Sequence, residues 1–181
     1  ASDVYKRQDL GFLNNRLNVT FDWYTRNNYD LIGPRTTNGT KGTITEYANV
    51  ASMKSNGEEF AITSKNIVTK DFQWTTDFIF SHVKTEVTDL DNRKRFIDMV
   101  TGSGFTMKGY PYRSLFSIDF QGLNASGVPT FLNQDGKLTT SDFNFQSRVL
   151  DYLKYEGPTD PTVTGSFGNV FSYKGFHLNV F

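Results

Sequence analysis

Apolar side chains recur at every second residue over unusually long stretches, and that period constrains the fold more than any other feature. From Arg16 to Trp23 the odd positions Leu17, Val19, Phe21 and Trp23 are apolar, and the intervening Asn18, Thr20 and Asp22 are polar. This is strand alternation with one greasy face and one wet face. The stretch runs on through Tyr24 and Tyr29 to Leu31-Ile32, past the ~5–6 residues of an ordinary globular strand. A second example sets Phe72, Trp74, Phe78 and Phe80 against Gln73, Thr75, Asp77 and Ser81, with Ile79 as the one breach. Near the end, Phe167, Phe171 and Tyr173 share one parity and Gly168, Val170 and Ser172 the other; a Lys174-Gly175 turn then leads into Phe176, Leu178 and Val180. Between these, Tyr47, Val50, Met53, Phe60 and Ile62 mark a further strand region interrupted by Asn56-Gly57. That dipeptide is a hairpin signal in isolation and is equally compatible with a kink inside one strand.

The connections alternate in kind. Short ones lie at Asn14-Asn15, around Asn66–Asp71 and at Lys174-Gly175; long polar ones run from Gly33 to Thr43 and from about Asp89 to Thr162. Long alternating strands joined in turn by tight and long connections are the habit of outer-membrane barrels, which cross the hydrocarbon in ~9–11 residues. Composition leans the same way. Aromatic residues are 15% of the chain (17 Phe, 9 Tyr, 2 Trp), while hydrophobic residues total only 37%. No apolar run approaches the ~20 residues of a membrane helix. The alternative is a soluble β-sandwich serving as a glycan-binding module, which also alternates and also uses Gly-rich turns.

The 19 basic and 19 acidic side chains balance to a formal net charge of zero, which disfavours nucleic acid, whose phosphates demand a cationic surplus. The absence of cysteine excludes disulfides, thiol nucleophiles and thiolate metal sites. The only histidines, His82 and His177, show no metal-ligand spacing and no paired nucleophile. Glu58 and Glu59 are strand neighbours and point to opposite faces, so they cannot converge as a glycosidase pair. Asp89 and Asp91 sit beside Arg93-Lys94-Arg95 as a solvated charge cluster. Asn133-Gln134-Asp135-Gly136-Lys137 invites comparison with a calcium loop, but aligning Gly136 with that loop's glycine places Phe131 at the first ligand position. A hairpin turn is the better reading. No catalytic residue, metal site or cofactor is assigned.

Rings interleave with Asn, Asp, Ser and Gly from Tyr110 to Tyr155. Such a mixture suits stacking on a neutral glycan, or else a small core that keeps a long excursion ordered. The ligand-contact candidates are Tyr110, Tyr112, Phe131, Asn133 and Asp135. The first eight residues, ASDVYKRQ, resemble a translated sequencing adapter and are set aside as a non-native leader.

Five phrases, in order, resemble the SusC/RagA family of TonB-dependent outer-membrane transporters. The first is Asn14–Tyr29 (NNRLNVTFDWYTRNNY) with Asp30-Leu31-Ile32, like the family's tight turn, outgoing strand and strand end. The second is Asn49–Ile62 (NVASMKSNGEEFAI), where Met53, Asn56, Gly57 and Glu59 match and Ala51-Ser52 replaces a usual glycine region. The third is Phe72-Gln73-Trp74. The fourth runs from Gly109-Tyr110-Pro111 through Phe116, Gly122-Leu123, Gly127 and Pro129 to Asp135-Gly136-Lys137, similar to part of the family's large extracellular region. The last is Gly165–Phe176 (GSFGNVFSYKGF), similar to a late hairpin.

The resemblance implies an all-β fold: antiparallel strands of a partial transmembrane β-barrel with a long extracellular loop region, in the cell outer membrane. It also implies a SusD-like surface lipoprotein as a lid, TonB acting through an N-terminal part outside these residues, import of oligosaccharides or peptides, contact with outer-membrane lipid, and no enzymatic chemistry. The expected organisation is a leader (1–8), barrel strands with one extracellular loop (9–88), an extracellular loop region (89–161) and a barrel hairpin that breaks off at the C-terminus (162–181). An open sheet of about five crossings leaves on the order of ten unpaired backbone groups on each edge, at several kcal/mol apiece in hydrocarbon. These strands are therefore expected to pair with others outside the chain.

Overall fold

The computed structural model describes residues 1–36, 42, 45–90 and 94–181, and strands dominate it. In chain order they are β1 (Ser2–Phe12), β2 (Leu17–Thr36), β3 (Thr45–Val68), β4 (Phe72–Leu90), a one-turn helix α1 (Phe96–Met99), β5 (Ser114–Ile118), β6 (Phe120–Leu123), β7 (Pro129–Leu132), β8 (Leu138–Thr139), β9 (Leu153–Pro158), β10 (Val163–Tyr173) and β11 (Phe176–Val180). The main sheet has six strands in the order β1-β2-β3-β4-β10-β11, with a β5-β9 pair and a β6-β7-β8 sheet beside it in sequence. Most of the long connection expected at Gly33–Thr43, and Asp91 and Arg93, lie outside the described residues.

The long strands follow the expected alternation because antiparallel partners put their side chains on the same face. In β10 and β4, Val163 stands opposite His82, Phe167 opposite Phe78, Phe171 opposite Trp74 and Tyr173 opposite Phe72. β11 continues the row, with Leu178 opposite Phe171 and Phe176 opposite Tyr173. One face of β4-β10-β11 is thus lined with rings. The other carries Gln73, Thr75, Asp77, Ser81, Thr164, Ser166, Ser172 and His177.

Tight turns close one end of the strands. Leu13, Asn14 and Asn15 all have positive φ (54°, 56°, 60°), as do Lys174 and Gly175 (44°, 90°). At Lys174-Gly175 the two left-handed residues make the I′-type hairpin turn whose twist matches its strands, whereas the first turn is a longer connection of four residues between Phe12 and Leu17.

Asn56-Gly57 is not a turn: it lies inside β3. The glycine is there for space, because a Cβ on Gly57 would run into the ring of Tyr24 on β2. Residues 1–8, set aside above, are built into β1. The pairs Leu10 with Val19 and Phe12 with Leu17 are apolar on both sides, whereas Gln8 and Lys6 stand opposite Phe21 and Trp23. Residues 2–8 carry the strand ladder but not the ring-face pattern.

The chain divides into two compact units. The first, Ala1–Asn27 with Lys54–Lys84 and Pro161–Phe181, is the wall. The second, Asn28–Met53 with Thr85–Asp160, is the excursion. Every buried apolar residue described, namely Val50, Val87, Phe96, Met99 and Phe116, belongs to the excursion. No described helix is long and apolar enough to cross a membrane, which says nothing of strands.

Candidate functional site

The excursion contains more regular structure than a loop region suggests. Strands of two to six residues are too short for their alternation to stand out in sequence. Their rings form two clusters. Around Phe96 lie Phe143 (stacked, 5.9 Å), Phe145 (5.5 Å) and Tyr152 (6.1 Å). Phe131 joins the same group through Phe143 and carries Phe120 with it. The second cluster is Tyr110, Phe116 and Tyr155, with centroids 5.1 to 5.8 Å apart.

The backbone N–H groups of Phe96 and Ile97 donate to the carbonyls of Ser147 and Phe145, so the helix is stitched to the segment that carries its ring partners. Arg95 Nε donates to Asp98 at 2.7 Å. That bond holds the Asp98 carboxyl below the ordinary carboxylate range and pushes the Arg95 guanidinium up. Tyr152, whose hydroxyl is buried without a hydrogen-bond partner among the described residues, has its pKa raised by burial.

The five candidate residues have different roles. Tyr110 is fixed in the second ring cluster, and its carbonyl accepts from Val87 N–H. Phe131 is part of the first cluster. Asn133 is almost fully buried, its Oδ1 accepting from the N–H groups of Asp135 and Lys137. This is an Asx-type turn with Gly136 at φ 69°, the hairpin geometry that leads from β7 to β8. Only Tyr112 and Asp135 present exposed side chains. The excursion therefore packs Tyr110 and Phe131 into ring clusters and leaves the side chains of Tyr112 and Asp135 exposed.

On the wet face of the wall, Thr63 Oγ1 donates to Asp77 at 2.7 Å, and Asp22 is buried. His177 has a partner that its sequence context did not show. Strand register places it opposite Ser172, with Nδ1 2.8 Å from Oγ. A hydrolytic triad needs a third group to hold the imidazole, and no carboxylate hydrogen-bonds to this ring among the described residues. Asp89 lies 3.6 Å from Lys108 with both side chains well exposed, a solvated pair. No cluster of three or more metal-ligating side chains occurs among the described residues.

No family model matches the chain. It is 28% identical over 198 aligned residues to TonB-dependent receptor P3 of Formosa agariphila, covering 96% of this chain and 19% of that protein. It is 36% identical over 83 residues to TonB-dependent receptor SusC of Bacteroides thetaiotaomicron, covering 45% of this chain and 8% of that protein. In structure it resembles the RagAB peptide transporter, with a TM-score of 0.77 at 23% identity, covering 98% of this chain and 19% of that one. The chain thus spans about a fifth of the length of the curated relative it matches end to end.

Proposed function

We propose that this SusC/RagA-like, TonB-dependent receptor chain forms a section of an outer-membrane transporter wall together with one extracellular excursion. In this reading the whole protein imports oligosaccharide or peptide beneath a SusD-like lipoprotein, using energy delivered by TonB outside these residues. The observation that carries it is the likeness to a TonB-dependent receptor along 96% of the chain. The two-faced sheet supplies the physics. Rings toward lipid exploit the bilayer as the core that the wall lacks, while hydroxyls, amides and carboxylates on the other face keep a wet lumen. A wall of this kind performs no covalent chemistry. Its excursion offers shape and stacking surface, with Tyr112 and Asp135 as the contact residues for substrate.

The test is uptake of labelled oligosaccharides and peptides by cells expressing the complete protein with its lipoprotein. Tyr112→Ala with Asp135→Ala should reduce uptake of one substrate class while leaving the protein in the outer-membrane fraction. Recovery of residues 9–181 alone as a soluble, monodisperse, cooperatively melting protein would refute the wall assignment.

A further inference from the structure

One residue of the excursion holds a backbone conformation that its side chain makes costly. Arg113 has φ 54°, in the left-handed region that glycine enters freely and a residue with a Cβ does not. Its surroundings hold it there. The Arg113 carbonyl accepts from Thr159 N–H (2.9 Å), and Ser114 exchanges both backbone hydrogen bonds with Phe105 (2.8 and 2.9 Å). Ser114 is fully buried, and its Oγ donates to the Pro111 carbonyl (2.7 Å). Gly104 packs against the Arg113 carbonyl so closely that a Cβ would stand 2.7 Å from it. Residues 111–114 are thus a braced turn with Tyr112 and Arg113 as its two central residues.

What the turn presents is a ring and a guanidinium on consecutive residues. Tyr112 is 49% exposed, and the Arg113 side chain is 44% exposed. Arg113 Nε donates to the Ser103 carbonyl (3.2 Å), which fixes one edge of the fork. Nη1 stands 3.8 Å from Asp160 Oδ1, close enough for attraction and too far for a hydrogen bond. The Nη1 and Nη2 donors have no hydrogen-bond partner among the described residues. A guanidinium held by Nε and open along its Nη edge is set up for a planar, two-oxygen anion. Placing it in advance lowers the entropy lost on binding.

We infer that Arg113 binds the carboxylate of a uronic-acid unit in an acidic oligosaccharide, beside the ring of Tyr112. The inference rests on the transporter reading above and narrows its substrate. A carboxylate matches the Arg fork with two parallel hydrogen bonds, whereas a neutral sugar offers only hydroxyls. The neighbouring ring favours a sugar over a peptide, because a pyranose lays a flat C–H face on an aromatic ring and a uronic acid carries its carboxylate directly on that pyranose. Consecutive Cα atoms lie ~3.8 Å apart, so both groups are within reach of one or two sugar units. Asp160 is the competing anion that the substrate must outbid for the Nη edge.

The probes are oligosaccharides of galacturonic, glucuronic and mannuronic acid, each paired with its methyl ester, which cancels the carboxyl charge. Their binding to the complete protein with its lipoprotein, purified from the outer-membrane fraction, is measured by calorimetry. At least one acid should bind wild type about tenfold more tightly than its ester, the scale of a hydrogen bond to a charged group. Arg113→Gln should abolish that preference, Arg113→Lys should keep part of it, and Asp160→Asn should widen it. Lys108→Gln removes the same charge from a solvated pair and should leave the preference unchanged. Arg113→Gly separates binding from bracing. It relieves the backbone, so the excursion should stay at least as protease-resistant as wild type while the preference is lost. A preference that survives Arg113→Gln overturns the inference, as does an equal loss in Lys108→Gln. So does an Arg113→Gly excursion that turns protease-sensitive and loses acid and ester binding alike. A wild type that discriminates acidic peptides from their amides, and no acid sugar from its ester, overturns the assignment to sugar. Binding of oligosaccharides without regard to charge sinks this inference alone, and a protein that never reaches the outer membrane sinks the transporter reading too.

Discussion

Phe78 in the wall and Phe96 in the excursion are the same residue under opposite rules. Phe78 is 37% exposed on a ring-lined face, and Phe96 is 2% exposed at the centre of a ring cluster. All the buried apolar residues described lie in the excursion, while the wall keeps its rings on the surface. The wall's apolar energy comes from its surroundings and the excursion's from its own packing. The same aromatic-rich composition therefore serves two solvents, and each unit should fail in its own way.

The largest effect is expected at the excursion's centre. Phe96→Ala removes the ring shared by Phe143, Phe145 and Tyr152 and should cost the excursion ~3–5 kcal/mol. Limited proteolysis should then cut within residues 96–158 while the barrel keeps its heat-modifiable mobility. Simultaneous loss of both would break the comparison. Next come the two faces of the wall. Phe78→Arg should cost ~2–4 kcal/mol of barrel stability in vesicles, and Thr75→Arg only ~0–1 kcal/mol, because only the first places a charge against lipid. Denaturant titration in vesicles measures both, and equal costs would show the facing to be wrong.

A smaller effect is expected where the wall packs against itself. Gly57→Ala drives a methyl into the ring of Tyr24 and should cost ~1–3 kcal/mol. Tyr24→Ala combined with it should recover most of that loss, which a double-mutant cycle would show.

The smallest effect is a pH dependence of the excursion. Arg95 holds the Asp98 carboxyl below the ordinary carboxylate range. A lowered folded pKa contributes stability above that range and loses it as pH falls through the folded value. Acidification should therefore loosen the α1 segment in hydrogen exchange, modestly because both side chains are solvent-accessible. Asp98→Asn should already be loosened at neutral pH and lack that acid step.

How much could be read in advance follows from length. β2, β4 and β10 were legible because alternation sustained over about seven to ten residues leaves no competing period, whereas the apolar positions of β3 mix parities and Asn56-Gly57 left a hairpin open. The excursion's strands were not, since pieces of two to six residues look like loop. Asn133 was identifiable by its company of Asp, Gly and Lys, but nothing in that string tells whether its oxygen faces a ligand or caps a turn. His177 seemed partnerless because its serine is five residues away in sequence and directly opposite only across a hairpin.

The sequence by itself determined that the chain is strand, which residues share a face, and where the tight turns fall, because these depend on neighbours one to four positions apart. Tertiary structure alone decided that Asn56-Gly57 runs on within β3 against a tyrosine ring, that Tyr110 and Phe131 serve packing while Tyr112 and Asp135 are exposed, and that Asn66 donates to Thr76 and Thr76 to Asn169 across three strand segments. Those are relations between strands, set by register, and no local pattern encodes which residue of a distant strand will stand opposite.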